Sequence, residues 1–136
     1  MITLIALMVG IALAFAFLVW TRKQPDGGRR FYTIGLIVTA LIYVVFALVG
    51  RGSARSLALE ALGVLPYGAV AWLGFRKSAA FLALGWAMHV VWDVALHLKG
   101  AGAAYTPAWY PWGCVSFDLM VAGAVLIGGA GRASAA

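Results

Sequence analysis

The sequence predicts an all-α integral membrane bundle of about five transmembrane helices, and three observations carry that prediction. Of 136 residues, 65% are hydrophobic and 10% charged, with a mean hydropathy of +1.00. Soluble domains carry about 45–50% apolar and about 25% charged residues, and no soluble core of this length could hide the excess. The apolar residues fall into runs of about 20, the length a helix needs to cross the hydrocarbon layer. The cations occupy the short gaps between those runs. A secreted disulfide scaffold, a disordered tail and a soluble enzyme are thereby excluded. The net charge of +6 reads as a topology signal and as contacts to anionic lipid headgroups, not as a nucleic-acid surface.

The spans follow in order. Ile2–Trp20 lacks the basic start and the polar mature sequence that flank a cleaved signal peptide, so it reads as a membrane helix. Phe31–Gly50 follows the polar connection Thr21–Arg30. Leu57–Phe75 follows Arg51–Ser56 and carries Pro66 between Gly63 and Gly68, which predicts a kink. Ala79–Leu98 is set off only by Arg76, Lys77 and Ser78, so these two spans form a tight antiparallel hairpin. Trp112–Gly129 closes the chain after the connection Lys99–Pro111. Residues 1–136 read as a single transmembrane domain without repeats. Backbone polar groups have no water partners in lipid, so each span is expected to be helical from side to side.

Lys and Arg set the orientation. Arg22, Lys23, Arg29, Arg30, Arg76, Lys77 and Arg132 lie on one side; Arg51, Arg55 and Lys99 lie on the other. The larger group belongs in the cytoplasm, which places the N-terminus outside and the C-terminus inside a bacterial inner (plasma) membrane. Trp20, Phe31, Tyr32 and Phe75 then mark the inner interface, and Tyr105, Trp109, Tyr110 and Trp112 the outer one. Small-residue pairs at Ala6/Gly10, Ala12/Ala16 and Ala124/Gly128 allow close helix approach in lipid, within the chain or in a homodimer.

Ionisable residues inside a span are costly and are functional by default. Glu60, Asp93 and Asp118 lie within predicted spans, as do both histidines, His89 and His97. At about 1.5 Å per residue, Asp93 sits roughly 7 Å and His89 roughly 13 Å below the outer end of the fourth span. Glu60 is less than one turn deep, Cys114 is shallow, and Asp118 lies one turn below Cys114. All therefore converge on the outer half. His89, Asp93 and His97 recur every four residues, which puts them on one face of an α-helix. His89 and His97 are about 12 Å apart along the axis, too far to share one ion. Either Asp93 joins one histidine at an ion, or it links two sites, or the three form a proton ladder. Cys114 and Asp118 form a similar one-turn pair. Facing an Asp/His pair, they would supply a zinc-like transition-metal set of His89, Asp93, His97, Cys114 and Asp118, with Glu60 as an additional polar group.

Plainer roles stand beside these. His97 at a helix end can meet free carbonyls, Glu60 can favour the positive end of a helix dipole beside Arg55, and Cys114 can simply pack. Trp86 and Trp92 supply aromatic mass at a helix contact or in lipid.

Gly85-Trp86-Ala87-Met88-His89-Val90-Val91-Trp92-Asp93 with His97, followed by Gly113-Cys114-Val115-Ser116-Phe117-Asp118, resembles an uncharacterised family of small bacterial multi-pass membrane proteins. That family pairs a GWxxHxxWDxxxH-like helix with a later GCxxxD-like helix. The resemblance implies a membrane protein and brings no activity with it.

Three functional classes remain. The first is a protein that binds a transition-metal ion at an outward-facing His/Asp/Cys site under the Lys99–Pro111 loop, with an ion or small molecule as ligand. The second is a proton-coupled small transporter or accessory subunit using the same residues as a relay. Only Thr33, Thr39, Tyr43 and Tyr67 remain to continue such a path inward. The third is a structural polar cluster without ligand. No nucleophile motif or phosphate-binding loop assigns an enzymatic reaction.

Overall fold

The computed structural model describes residues 1–133, with side chains described through residue 128; Arg132, counted above among the inner-side cations, has its side chain outside that range. Five helices follow in order: α1 (Ile2–Arg22), α2 (Arg29–Val49), α3 (Ala54–Arg76), α4 (Ala79–Trp92) and α5 (Tyr110–Ala133). The chain leaves α4 through a π-helical turn, Asp93–Leu98, and a short 3-10 turn, Ala101–Ala104, before α5 begins. Counting the π turn with α4, all five are long and apolar enough to cross a membrane. α3 is helical straight through Pro66.

Local chemistry sets the ends. Ser53 and Ser78 accept from Ser56 N at 3.1 Å and Ala80 N at 3.2 Å, capping α3 and α4. Asp26 closes the α1–α2 connection by accepting from Gly28 N at 3.0 Å and Arg30 N at 2.9 Å. Those bonds, the Arg30 one foremost, hold the Asp26 carboxyl below its ordinary value.

α1 packs on α5, α5 on α4, α4 on α3, and α3 on α2. α1 turns one narrow stripe inward: Ala6, Gly10, Ala14 and Leu18, spaced four apart. A Cβ on Gly10 would collide with the Gly113 carbonyl and the Ser116 hydroxyl. The two backbones can close only because glycine stands there, and Ser116 Oγ donates to Leu7 O at 2.9 Å across the same contact. Of the three expected small-residue pairs, Ala6/Gly10 is thus built into the helix interface. Ala12 and Ala16 instead face outward, because the four-residue stripe starting at Ala6 leaves them on the far side of α1. Large apolar side chains cover the exterior, among them Leu62, Leu65 and Val91, each more than 60% exposed. In a membrane that exterior faces lipid, where exposure of Leu and Val costs nothing.

The interior has two unlike halves. Toward the α1–α2 and α3–α4 connections it is apolar, built on Ala14, Leu36, Ala71, Leu82, Trp86 and Val121. Toward the other end it is polar, holding Glu60, His89, Asp93, His97 and Asp118, each at most 2% exposed.

Two outcomes are expected. Gly10→Val should lower the thermal stability of the detergent-solubilised protein by about 1–3 kcal/mol through overpacking, while Ala12→Val on the exposed face should leave it unchanged. For Asp26, a folded pKa below the unfolded one means its stabilisation is present above about pH 4 and disappears as pH falls through the depressed value. Melting curves of wild type and Asp26→Asn should therefore differ by under about 1 kcal/mol at neutral pH, because the group is exposed and screened, and should converge in acid.

Candidate metal centre

His89 lies at the inner face of α4, Asp93 opens the π-helical turn one step further along, and Asp118 projects from α5. Each is fully buried. His89 Nδ1 is 2.7 Å from Asp118 Oδ2 and 3.5 Å from Asp93 Oδ1. One ligand atom from each residue fits within 4.8 Å of the others. The imidazole thus stands between two carboxylates, and only the contact with Asp118 is a hydrogen bond. Both oxygens of Asp93, Asp118 Oδ1 and His89 Nε2 have no hydrogen-bond partner. Among the described residues, no Lys or Arg pairs with either carboxylate.

The other expected residues are placed differently. His97 does not continue the His89–Asp93 face. The stretch from Asp93 to Leu98 is π-helical, with Lys99 N bonded to Val94 O at 3.1 Å in the i→i+5 pattern. Its wider turn makes a step of four residues fall short of a full rotation, so His97 swings toward α3. There His97 Nε2 lies 2.9 Å from Glu60 Oε1. Tyr105 donates to the same oxygen, and Trp92 Nε1 donates to Glu60 Oε2 at 3.3 Å. Glu60 is therefore a fully engaged acceptor in a second group, not a neighbour of Arg55 alone. Gly63 permits that arrangement: a Cβ there would lie 2.8 Å from the Trp92 ring.

Tyr105 had been expected at the outer interface. It is instead 8% exposed and turned inward onto Glu60, so the loop closes over the second group. Burial first, and the Glu60 carboxylate next, push its phenol above the ordinary value and keep it a donor. Cys114 is buried on α5 beside Tyr110 and Tyr43, but it is not part of the His89–Asp93–Asp118 group.

Tyr43 joins the two groups. Its ring stacks on His97 with centroids 3.5 Å apart and planes 15° apart, and lies 5.8 Å from the His89 ring. Its hydroxyl stands beside Asp93 and Cys114 with no hydrogen-bond partner. Tyr67 meets His89 edge-on at 5.2 Å. The signal for Tyr43 in the sequence was its place on the buried stripe Tyr32, Leu36, Ala40, Tyr43, Ala47, which no spacing on α2 alone connects to a histidine on α4.

A family model described as a family of unknown function (DUF6010) matches residues 1–131, and the chain belongs to that family. No curated protein and no solved structure matches it.

Glu60→Ala should orphan two buried donors, on His97 and Tyr105, and the part-buried Trp92 Nε1, each buried one worth about 1–3 kcal/mol when left unpaired. Unfolding in detergent should show a loss of at least about 3 kcal/mol for Glu60→Ala, and a clearly smaller loss for Glu60→Gln, which keeps a carbonyl acceptor.

Proposed function

We propose that this member of the DUF6010 family is a membrane metalloprotein in which His89, Asp93 and Asp118 hold one divalent transition-metal ion. The observation that supports this reading is the set of three unpartnered carboxylate oxygens around one imidazole, all buried at membrane depth. Two carboxylates that close, without a cation, carry a large desolvation and repulsion cost, and a divalent ion removes it. The donor spacing suits one. Metal–ligand bonds of about 2.0–2.2 Å place neighbouring ligands about 3 Å apart; the two His89–carboxylate distances, 2.7 Å and 3.5 Å, bracket that separation, and the whole set lies within 4.8 Å.

One nitrogen with carboxylate oxygens is a donor set for zinc, manganese or iron, with no thiolate to select against the harder ions. Three protein ligands leave a coordination position open, where bound water would become more acidic. Tyr43, with its free hydroxyl beside Asp93, is placed to orient whatever occupies that position. The excess of cations at the opposite end supports an outer-half position for the site. The apolar half of the core beneath it supports a dead-end site rather than a conduit.

A proton-exchanging role is the second reading, and Tyr43 favours it by lying against both histidines, stacked on His97 and tilted against His89. Elemental analysis of protein purified without a histidine tag separates the two. Near-stoichiometric metal in wild type, lost in a folded His89→Ala/Asp93→Ala variant, is the expected result. Absence of metal from wild type, even after incubation with zinc, manganese or iron(II), would overturn the metal reading in favour of the proton or structural ones.

A further inference from the structure

A cleft of about 430 Å³ opens between α1, α2 and α5. α1 and α2 are pinned together at one end only, where Thr21 Oγ1 and Tyr32 OH lie 2.8 Å apart and the Phe17 ring meets Tyr32 edge-on. Further along, residues of α1 and α2 line the cleft and α5 forms its floor. Ile5, Val9 and Leu13 make one lip and Thr39 belongs to the other, while Tyr110 closes the top. The volume falls within the about 300–1,000 Å³ of small-molecule sites.

Two features separate this cleft from an ordinary groove between lipid-facing helices. Its floor includes Asp118, which is fully buried and has Oδ1 without a hydrogen-bond partner. Its mouth lies along membrane spans, and Ile5, Val9 and Leu13 are each at least half exposed to the surroundings. The way in therefore leads from the hydrocarbon, not from water.

We infer that the cleft takes a neutral lipid with a terminal hydroxyl, a long-chain alcohol, whose apolar chain lies between α1 and α2 and whose hydroxyl donates to Asp118. Physical chemistry narrows the occupant to that class. The apolar walls suit a hydrocarbon chain, which gains little from leaving lipid, so the polar contact must supply the selectivity. An unpartnered buried carboxylate oxygen requires a donor. A fatty carboxylate would have to carry its own charge past the apolar lips, at a desolvation cost a hydroxyl does not meet. An ammonium would have to pass the apolar lips as a charge, at a cost a hydroxyl does not meet. The inference shares Asp118 with the metal reading but does not need the ion, because Asp118 Oδ2 is the oxygen that faces His89 and Oδ1 is the free one.

The test is photolabelling of the full chain in phosphatidylcholine nanodiscs with a diazirine derivative of hexadecanol, beside the matched derivatives of palmitate and hexadecylamine. The expected result is labelling concentrated on α1 and the first half of α5, at least fivefold stronger for the alcohol than for the acid or the amine, and competed by unlabelled hexadecanol. Val9→Trp, which fills the mouth from the lipid side, should cut the alcohol labelling at least fivefold, and Leu62→Trp on the outer face of α3 should not. Asp118→Leu, which removes the acceptor oxygens, should narrow the alcohol-over-acid preference. Labelling spread evenly over the outward faces of all helices, equal labelling by alcohol and acid in wild type, or labelling indifferent to Val9→Trp would each overturn the inference. Metal content measured on the same wild-type sample keeps the two readings apart, since a metal-free protein that labels as expected removes only the ion.

Discussion

The structure turns on placing two carboxylates and one imidazole side by side where none of them is exposed at the surface. Asp93 and Asp118 approach His89 from two helices, and no lysine or arginine among the described residues reaches them. In lipid such groups cannot be hydrated in place, so they must be neutralised by one another, by protons or by a bound cation. The position of α4 relative to α5 follows from this demand, since one imidazole nitrogen has to face acids on both elements. The close α1–α5 contact at Gly10 then braces α5 from its other side.

The π-helical turn divides the polar interior into two functions. An uninterrupted α-helix would have kept His97 in line with His89 and Asp93 and stacked all three on one face. The inserted turn sends His97 to Glu60, where Tyr105 and Trp92 complete a saturated acceptor. The Glu60 carboxylate is thereby satisfied by the protein itself, with only His97 Nδ1 unpartnered in its group, while the other group keeps free carboxylate oxygens. A π turn inside a helix is often found at functional sites, and here it separates the Glu60–His97 network from the His89–Asp93–Asp118 group. Tyr43 remains in contact with both through its ring and its hydroxyl.

The five spans could be read from the chain because hydrophobic length is a local property: a run of about 20 apolar residues is a span whatever surrounds it. The convergence of Glu60, His89, Asp93, His97 and Asp118 in one half of the bundle was legible for a related reason, since rise per residue converts position into depth. Ligand grouping was not. Spacing placed His97 with Asp93 and paired Cys114 with Asp118, yet His97 joins Glu60 and Cys114 stands apart. Tyr105, an interfacial aromatic by position, turned inward because Glu60 offered it a buried acceptor.

Sequence by itself determined the solvent, the number of helices and the depth of each polar group, because these depend on composition and on a fixed rise along the chain. Tertiary structure decided which groups meet. That outcome rests on the rotation of each helix about its axis, on one wider turn after Trp92, and on glycines at Gly10 and Gly63 that let particular faces touch. Such rotations are settled by contacts between segments far apart in the chain, and no spacing within a single helix encodes them.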